Sequence, residues 1–104
     1  MQKELELYEM LYLVTPSFSE SELVTKMEFY RDFLTTRGSQ VMVQNRGKRS
    51  LSYKIKGSET ANYIQMIYVG NQKLKVTLDT EMSRDNSILR SLTTKIPKLP
   101  EVTY

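Results

Sequence analysis

The first segment of the chain with a clear hydrophobic pattern runs from Glu4 to Val14, where residues alternate with a period of two. One side of this segment carries two tyrosines, a methionine and a valine, and the other side carries three leucines and a glutamate. This pattern predicts a strand that is buried on one face and partly covered on the other. Pro16 ends it, because proline has no backbone N–H for a sheet ladder.

A helical period replaces the alternation after this proline. Ser19 and Glu22 have the spacing of a capping box, in which a hydroxyl and a carboxylate bind free backbone N–H groups at a helix start. Gly38 stands where a helix often ends in a left-handed residue. The apolar residues between them recur on one side of a helix, at Leu23, Met27, Tyr30 and Leu34. We predict a helix over 20–37.

A second stretch of period-two alternation covers 39–55. It is interrupted at Asn45-Arg46-Gly47, which predicts a bend or bulge in one long strand. The segment 57–60 has turn composition, and 62–69 is rich in tyrosine and isoleucine. These features predict a hairpin of two strands.

The remaining pattern gives one more helix and one more strand. Asn71 is placed to cap the helix, and 88–96 forms the strand before Pro97. Two helices with one apolar stripe each can cover only one face of a four-stranded sheet. We therefore predict an α+β fold, a two-layer sandwich of the ferredoxin-like βαββαβ type, with a four-stranded antiparallel sheet and both helices on one face. Tyrosine, lysine, arginine and serine side chains are expected on the open face.

The length of 104 residues bounds the chain to a single domain, 1–104, with a core at about 5–96 and a short C-terminal tail at 97–104. With 39% apolar and 26% charged residues, the composition is that of an ordinary globular domain. No apolar run approaches the about 18 residues of a membrane span. The N-terminal residues resemble neither a secretory signal nor a transit peptide.

The chain contains no histidine and no cysteine. It therefore lacks the imidazole base, the thiolate nucleophile and the usual zinc ligands. Gly47 and Gly57 are isolated, so no glycine-rich phosphate loop is present. The acidic residues Asp79, Glu81 and Asp85 fit a solvated helix surface and turn. We expect no catalytic residues, no cofactor and no metal site.

Charge is unevenly distributed along the sequence. Fifteen Lys and Arg residues against 12 Asp and Glu give a net charge of +3, but residues 1–30 sum to −4 and 31–104 to +7. Between positions 46 and 56 no acidic residue interrupts the basic residues Arg46, Lys48, Arg49, Lys54 and Lys56. With Tyr53 among them, the segment suits a nucleic acid, because basic residues release counterions from phosphates and a ring can stack on an unpaired base. A solvated hairpin whose lysines discourage aggregation explains the segment equally well.

Three basic residues accompany the last strand, namely Arg84, Arg90 and Lys95. They extend the positive surface or are ordinary surface charges. Most of the seven tyrosines are expected in the core, with Tyr8, Tyr12 and Tyr30 on apolar faces.

Several segments resemble the bacterial and plastid ribosomal protein S6 family. They are LYEMLY at 7–12 followed by a proline, GKRSLSYKIK at 47–56, Asn62-Tyr63, and NSILRS at 86–91. The resemblance covers about residues 5–96. It implies a non-catalytic βαββαβ protein of the small ribosomal subunit that supports translation. It further implies binding to the central domain of small-subunit (16S-type) ribosomal RNA together with a second protein, ribosomal protein S18. The implied location is the ribosome, in a bacterial cytoplasm or a plastid (chloroplast) stroma.

The same resemblance matches Arg90 to a basic position in the last strand that faces RNA, and the 46–49 bend and Lys54 to basic positions on the long hairpin. Together with the charge pattern, it gives the predicted RNA-binding set: Arg46, Lys48, Arg49, Tyr53, Lys54, Lys56, Arg84 and Arg90. We expect neither a membrane nor a small-molecule substrate as partner. One alternative is a ferredoxin-like regulatory or ligand-binding module that acts as a homodimer. Another is a small acyl- or phosphoryl-hydrolysing enzyme, although residues 15–18 offer no glycine or arginine for an anion-binding loop.

Overall fold

The computed structural model describes residues 5–97 of the chain. The elements follow the predicted order: β1 (Glu6–Val14), α1 (Glu20–Thr35), β2 (Val41–Ile55), β3 (Ser58–Gly70), α2 (Gln72–Ser83) and β4 (Ile88–Ile96). The last strand has the predicted bounds. The third strand begins earlier than predicted, because Ser58 and Thr60 pair with β2 and the turn shrinks to Lys56-Gly57. Most of the predicted tail, from residue 98 on, lies outside the described residues.

The four strands form one antiparallel sheet in the order β2-β3-β1-β4. Both helices pack on the same face of this sheet, through a core that they share with β1 and β3. This arrangement confirms the predicted ferredoxin-like βαββαβ sandwich. β1 and β3 are the central strands, whereas β2 and β4 are the edges.

Short-range hydrogen bonds fix where the helices begin. The Ser19 hydroxyl accepts a hydrogen bond from the Glu22 backbone N–H at 3.2 Å, and the Glu22 carboxylate accepts one from the Ser19 N–H at 2.7 Å. The predicted capping box is therefore present. The Asn71 side chain caps α2 by accepting from the Leu74 N–H at 2.8 Å. α1 ends two residues before the predicted end, ahead of Gly38, whose φ is +87°.

The main core lies between the helices and the sheet. Alternate residues of β1 and β3 point into it and meet the apolar stripes of α1 and α2. Each large side chain buried there contributes about 1.5 to 3 kcal/mol relative to an exposed one. The buried members are Tyr8, Met10, Tyr12, Val14, Leu23, Tyr30, Leu34, Ile64, Met66, Tyr68, Leu78, Met82 and Ile88.

The opposite face of the sheet, which we call the open face, is more apolar than predicted. In the register of the central strands, Leu11 lies between Gln65 and Leu92, and Leu92 is 62% exposed. On the edge strand β2, Met42 is 58% exposed. The expectation of tyrosine, lysine, arginine and serine was therefore incomplete. Leu92 and Met42 lie on the edge strands β4 and β2, so the apolar character of the open face extends beyond the central strands.

The tip of the β2–β3 hairpin crosses over one end of the open face. Leu51 and Ile55 pack there against a second, smaller cluster formed by Leu13, Ala61 and Leu89. The strand pairing is irregular between Ser50 and Ile55, which lets the hairpin depart from the plane of the sheet. Since β3 and β1 separate β2 from β4 in the sheet, the tip reaches β4 only by crossing the end of β1.

Candidate nucleic-acid interface

The predicted bulge in β2 decides which basic side chains reach the open face. The register of β2 shifts between Asn45 and Gly47, so Arg46 is the extra residue. Gly47 adopts a φ of +97° there, and its N–H donates to the Asn45 side chain at 2.8 Å. After the bulge, Arg49 pairs with Ala61 and lies on the open face. Lys48 pairs with Asn62 and lies on the helix-covered side.

A shallow trough of about 400 Å³ runs across the middle of the open face. Arg46 and Arg49 lie on its wall, and the Arg49 guanidinium stands 5.3 Å from the centre of the Tyr63 ring. Arg46 donates to the Gln44 side chain at 3.0 Å. The remaining lining is both polar and apolar: Glu9, Leu11, Gln65, Leu92 and Thr94. The trough therefore combines two guanidinium groups with exposed leucine.

At one end of the open face, the hairpin tip contacts the start of β4. The Arg90 guanidinium donates a hydrogen bond to the Tyr53 hydroxyl at 2.8 Å. The Lys56 ammonium donates to the Ile88 carbonyl at 3.3 Å. These contacts join residues that are more than 30 positions apart. The structure thus brings Tyr53, Lys56 and Arg90 together with the arginines of the trough on one face.

The other predicted basic residues lie elsewhere at the same end of the molecule. Lys48 points to the helix side and donates to the Pro16 carbonyl at 3.3 Å. Arg84 follows the last turn of α2, where its backbone N–H donates to the Glu81 carbonyl at 3.2 Å. Lys54 faces Glu59 across the hairpin, with their charged atoms 3.7 Å apart and both side chains exposed. Such an exposed ion pair is weak. The eight predicted residues therefore do not form one continuous surface.

On the helix-covered side, the charged side chain of Asp85 is paired within the fold. This carboxylate accepts hydrogen bonds from the Lys26 ammonium at 2.8 Å, the Tyr30 hydroxyl at 2.6 Å and the Ser87 N–H and hydroxyl. Burial by itself raises the pKa of this carboxyl, but the hydrogen bonds from Lys26, Tyr30 and Ser87 outweigh burial and hold it well below its usual range. The interpretation of Asp85 as a solvated surface residue is thus wrong, since the side chain is only 15% exposed.

A family model described as Ribosomal protein S6 matches residues 7–95 of the chain. The chain belongs to the ribosomal protein S6 family. S6 is a protein of the small ribosomal subunit and serves translation, as the sequence resemblance implied.

Named relatives agree with this assignment. A protein of Guillardia theta named "Small ribosomal subunit protein bS6c" is 42% identical over 94 residues, which are 89% of this chain and 98% of that protein. The cyanobacterial "Small ribosomal subunit protein bS6" of Gloeothece citriformis is 37% identical over 92 residues, 88% of this chain and 52% of that protein. These plastid-type and cyanobacterial relatives confirm the predicted location on the ribosome of a bacterium or plastid.

The fold has a solved counterpart in the S6 family. The crystal structure of 30S ribosomal protein S6 from Thermotoga maritima matches with a TM-score of 0.83 over 89% of each chain, at 19% sequence identity. At that identity the similarity concerns the fold alone, and it confirms the strand and helix arrangement described above.

Residues 5–97 of this S6-type chain contain neither a metal-binding cluster nor a membrane-spanning helix. No cluster of three or more acidic side chains there has a geometry that holds a metal ion. Over the same residues, no helix combines the length and hydropathy of a membrane span.

The open face also contains features that the sequence analysis did not assign to a site. Gln65 donates a hydrogen bond to Glu9 across the central strands, and both lie in the trough beside Leu92. The leucine alternation in the first strand was a visible signal of an apolar second face. Nothing in the sequence indicated that Leu92 would remain uncovered, because the position of the hairpin tip depends on the folded structure.

Proposed function

We propose that this S6-family chain binds the central domain of small-subunit ribosomal RNA through its open face and hairpin tip, with ribosomal protein S18 as its protein partner, and that it performs no catalysis. One observation carries the proposal. Arg46, Arg49 and Arg90 lie on or beside the open face, which has both polar and apolar residues and which the chain's own helices leave uncovered.

Guanidinium groups suit the proposed RNA contact. Arginine binds phosphate oxygens through paired N–H donors and stays charged at any physiological pH. The side chains of Arg46, Arg49 and Arg90 engage neutral oxygens or an aromatic ring rather than carboxylates in the described part of the chain. Their charge is therefore available to phosphates. Contacts of this type position a protein on RNA by shape and do not read base sequence.

The apolar part of the open face suits a protein better than RNA. Leu92 and Met42 present hydrophobic surface that phosphates and riboses do not cover favourably. A partner protein that buries this surface beside the arginines would complete a composite RNA-binding surface. The modest net charge of +3 fits a protein that shares its RNA contacts with a second basic protein.

Lys48, Lys54, Lys56 and Arg84 remain proposed RNA contacts in different places, and Tyr53 packs beside Arg90. Lys54 and Lys56 extend the positive surface along the hairpin tip. Lys48 and Arg84 lie toward the helix side of the same end, so they would contact RNA that wraps around that end.

The test is a titration of the protein against a central-domain fragment of small-subunit ribosomal RNA at two salt concentrations, with and without S18. We expect salt-sensitive binding that tightens when S18 is present. The changes Arg46→Gln, Lys54→Gln and Arg90→Gln should each reduce the slope of log affinity against log salt by about one, because each removes about one phosphate contact.

Arg31→Gln is the matched control. Arg31 lies on α1, away from the open face, and its side chain contacts Asp32. The same loss of charge at this position should leave the salt slope unchanged. Failure of the wild-type protein to bind RNA under either condition would overturn the proposed function, and a concentration-dependent homodimer without RNA affinity would favour the regulatory-module alternative. Binding with an unchanged slope in all three variants would overturn the assigned site alone.

A further inference from the structure

The hydrogen bond between Tyr53 and Arg90 points to different roles for these two residues in RNA binding. We propose that Tyr53 is a positioning residue for Arg90: its hydroxyl holds the guanidinium in place for a phosphate, and its ring is not a stacking platform for a base. The inference rests on the proposed function and deepens it. It assigns different roles to two residues that the sequence placed in one set.

The geometry leaves Arg90 able to bind a phosphate while it is held. Its Nη1 atom donates to the Tyr53 hydroxyl oxygen at 2.8 Å, the one side-chain hydrogen bond of Arg90 within residues 5–97. A guanidinium carries five N–H donors in a planar fork. The donors that Tyr53 does not use therefore remain available to a phosphate on the solvent side.

Both partners of this hydrogen bond lie close in sequence to residues that pack into or against the small cluster. Leu51 and Ile55, two positions on either side of Tyr53, pack against the small cluster beneath the hairpin tip. Leu89, the neighbour of Arg90, belongs to the same cluster and is only 8% exposed. The hairpin tip around Tyr53 and the start of β4 consequently pack on the same cluster, although they come from opposite edges of the sheet.

A second contact supports the same arrangement. The Lys56 ammonium donates to the Ile88 carbonyl at 3.3 Å, so the hairpin tip contacts β4 at both neighbours of Leu89. Arginine has a long side chain whose ordering on binding costs conformational entropy. Holding the guanidinium before RNA arrives reduces that cost and raises affinity without adding a contact to RNA.

The test separates the hydroxyl from the ring. Tyr53→Phe keeps the ring, which is as able to stack on a base as that of tyrosine, and removes only the hydrogen bond to Arg90. We expect this variant to bind the central-domain RNA fragment about 3- to 10-fold more weakly, because the Arg90 side chain must then be ordered when RNA binds, with an unchanged salt slope. Arg90→Gln should reduce the slope by about one.

The double variant decides between positioning and direct contact. If Tyr53 acts through Arg90, adding Tyr53→Phe to Arg90→Gln should cause no further loss of affinity. An equal loss in both backgrounds, wild-type affinity in Tyr53→Phe, or a reduced salt slope in that variant would overturn the inference. Tyr8→Phe is the matched control, since it removes a tyrosine hydroxyl on the helix side that bonds to Glu6, and it should bind RNA as the wild type does.

A measurement without RNA keeps the two proposals separate. In the free protein, exchange of the Arg90 guanidinium protons with water, followed by NMR, should be faster in Tyr53→Phe than in the wild type and unchanged in Tyr8→Phe. Equal exchange in Tyr53→Phe and the wild type would overturn the inference alone. Wild-type protein that shows the slowed exchange but does not bind RNA would overturn the proposed function and, with it, the role of Tyr53 in RNA binding.

Discussion

The two faces of the sheet are made by the same strands but differ in how far their apolar side chains are buried. On the helix-covered face, Met10 and Tyr12 are completely buried. On the open face, Leu11 lines a trough and Leu92 stays 62% exposed. Leucine is no less hydrophobic than methionine, so residue type does not explain the difference. What differs is the covering: two helices close one face, whereas within residues 5–97 only the hairpin tip reaches the other.

The two faces also treat charge differently. On the helix side, the Asp85 carboxylate is satisfied internally by Lys26, Tyr30 and Ser87. On the open face, the arginines contact a side-chain amide, a ring, a carbonyl and a hydroxyl, and none of these groups neutralises them. A charge that is satisfied within the fold stabilises the fold, and a charge that is left available can bind a partner. This comparison predicts which substitutions change stability and which change binding.

The largest predicted effect contrasts two leucines. Leu78→Ala removes a fully buried side chain of α2 and should lower the free energy of unfolding by about 3 kcal/mol, because it creates a cavity in the main core. Leu92→Ala on the open face should change it by less than about 0.5 kcal/mol, because the side chain is mostly in water already. Urea unfolding followed by circular dichroism measures both values.

Leu92→Ala, which should hardly change stability, should have its effect on binding instead. It should weaken association with S18, the proposed partner, while the protein stays folded. Similar destabilisation by the two substitutions would contradict the comparison, because it would show that the open face is covered in solution.

A somewhat smaller effect is expected from the charge network. Asp85→Asn should lower the free energy of unfolding by about 2 to 3 kcal/mol near neutral pH, because it leaves the partly buried Lys26 without its countercharge. Asp32→Asn is the control, since Asp32 is exposed on α1. It should change stability by less than about 0.5 kcal/mol.

The Asp85 network also predicts a dependence on pH. The hydrogen bonds lower the pKa of Asp85 in the folded state below its unfolded value of about 4. Its contribution to stability is therefore fully present above about pH 4 and declines as the pH falls toward the folded-state pKa. Unfolding measured from about pH 6 to about pH 2 should show this decline in the wild type and a shallower one in Asp85→Asn. Parallel curves for the two proteins would contradict the network's role.

The smallest predicted effect compares two buried tyrosines. The Tyr12 hydroxyl is buried and has no hydrogen-bond partner within residues 5–97, whereas the Tyr30 hydroxyl donates to Asp85. Tyr12→Phe should raise the free energy of unfolding by up to about 1 kcal/mol, because it removes an unsatisfied polar group. Tyr30→Phe should lower it by about 1 to 2 kcal/mol. Thermal unfolding distinguishes the two signs, and destabilisation by Tyr12→Phe as large as that by Tyr30→Phe would contradict the prediction.

Local sequence determined most of the secondary structure of this chain. The capping box at Ser19, the Asn71 cap and the interruption at 45–47 were readable because each depends on residues within a few positions of one another. The element order then limited the topology, since two singly striped helices can cover only one face of the sheet. The same sequence located the basic segment that supplies most of the candidate RNA contacts.

The tertiary structure decided which of those basic residues share a surface. One extra residue in β2 resets the alternation, so Arg49 faces the open side while Lys48 turns toward the helices. The crossing of the hairpin tip then brings Tyr53 to Arg90, 37 positions away. Alternation along a strand shows only which residues share a face of the sheet. A single bulge moves the residues after it to the opposite face. Contacts between opposite edges of a sheet depend on how the whole sheet twists and bends, which no local pattern encodes.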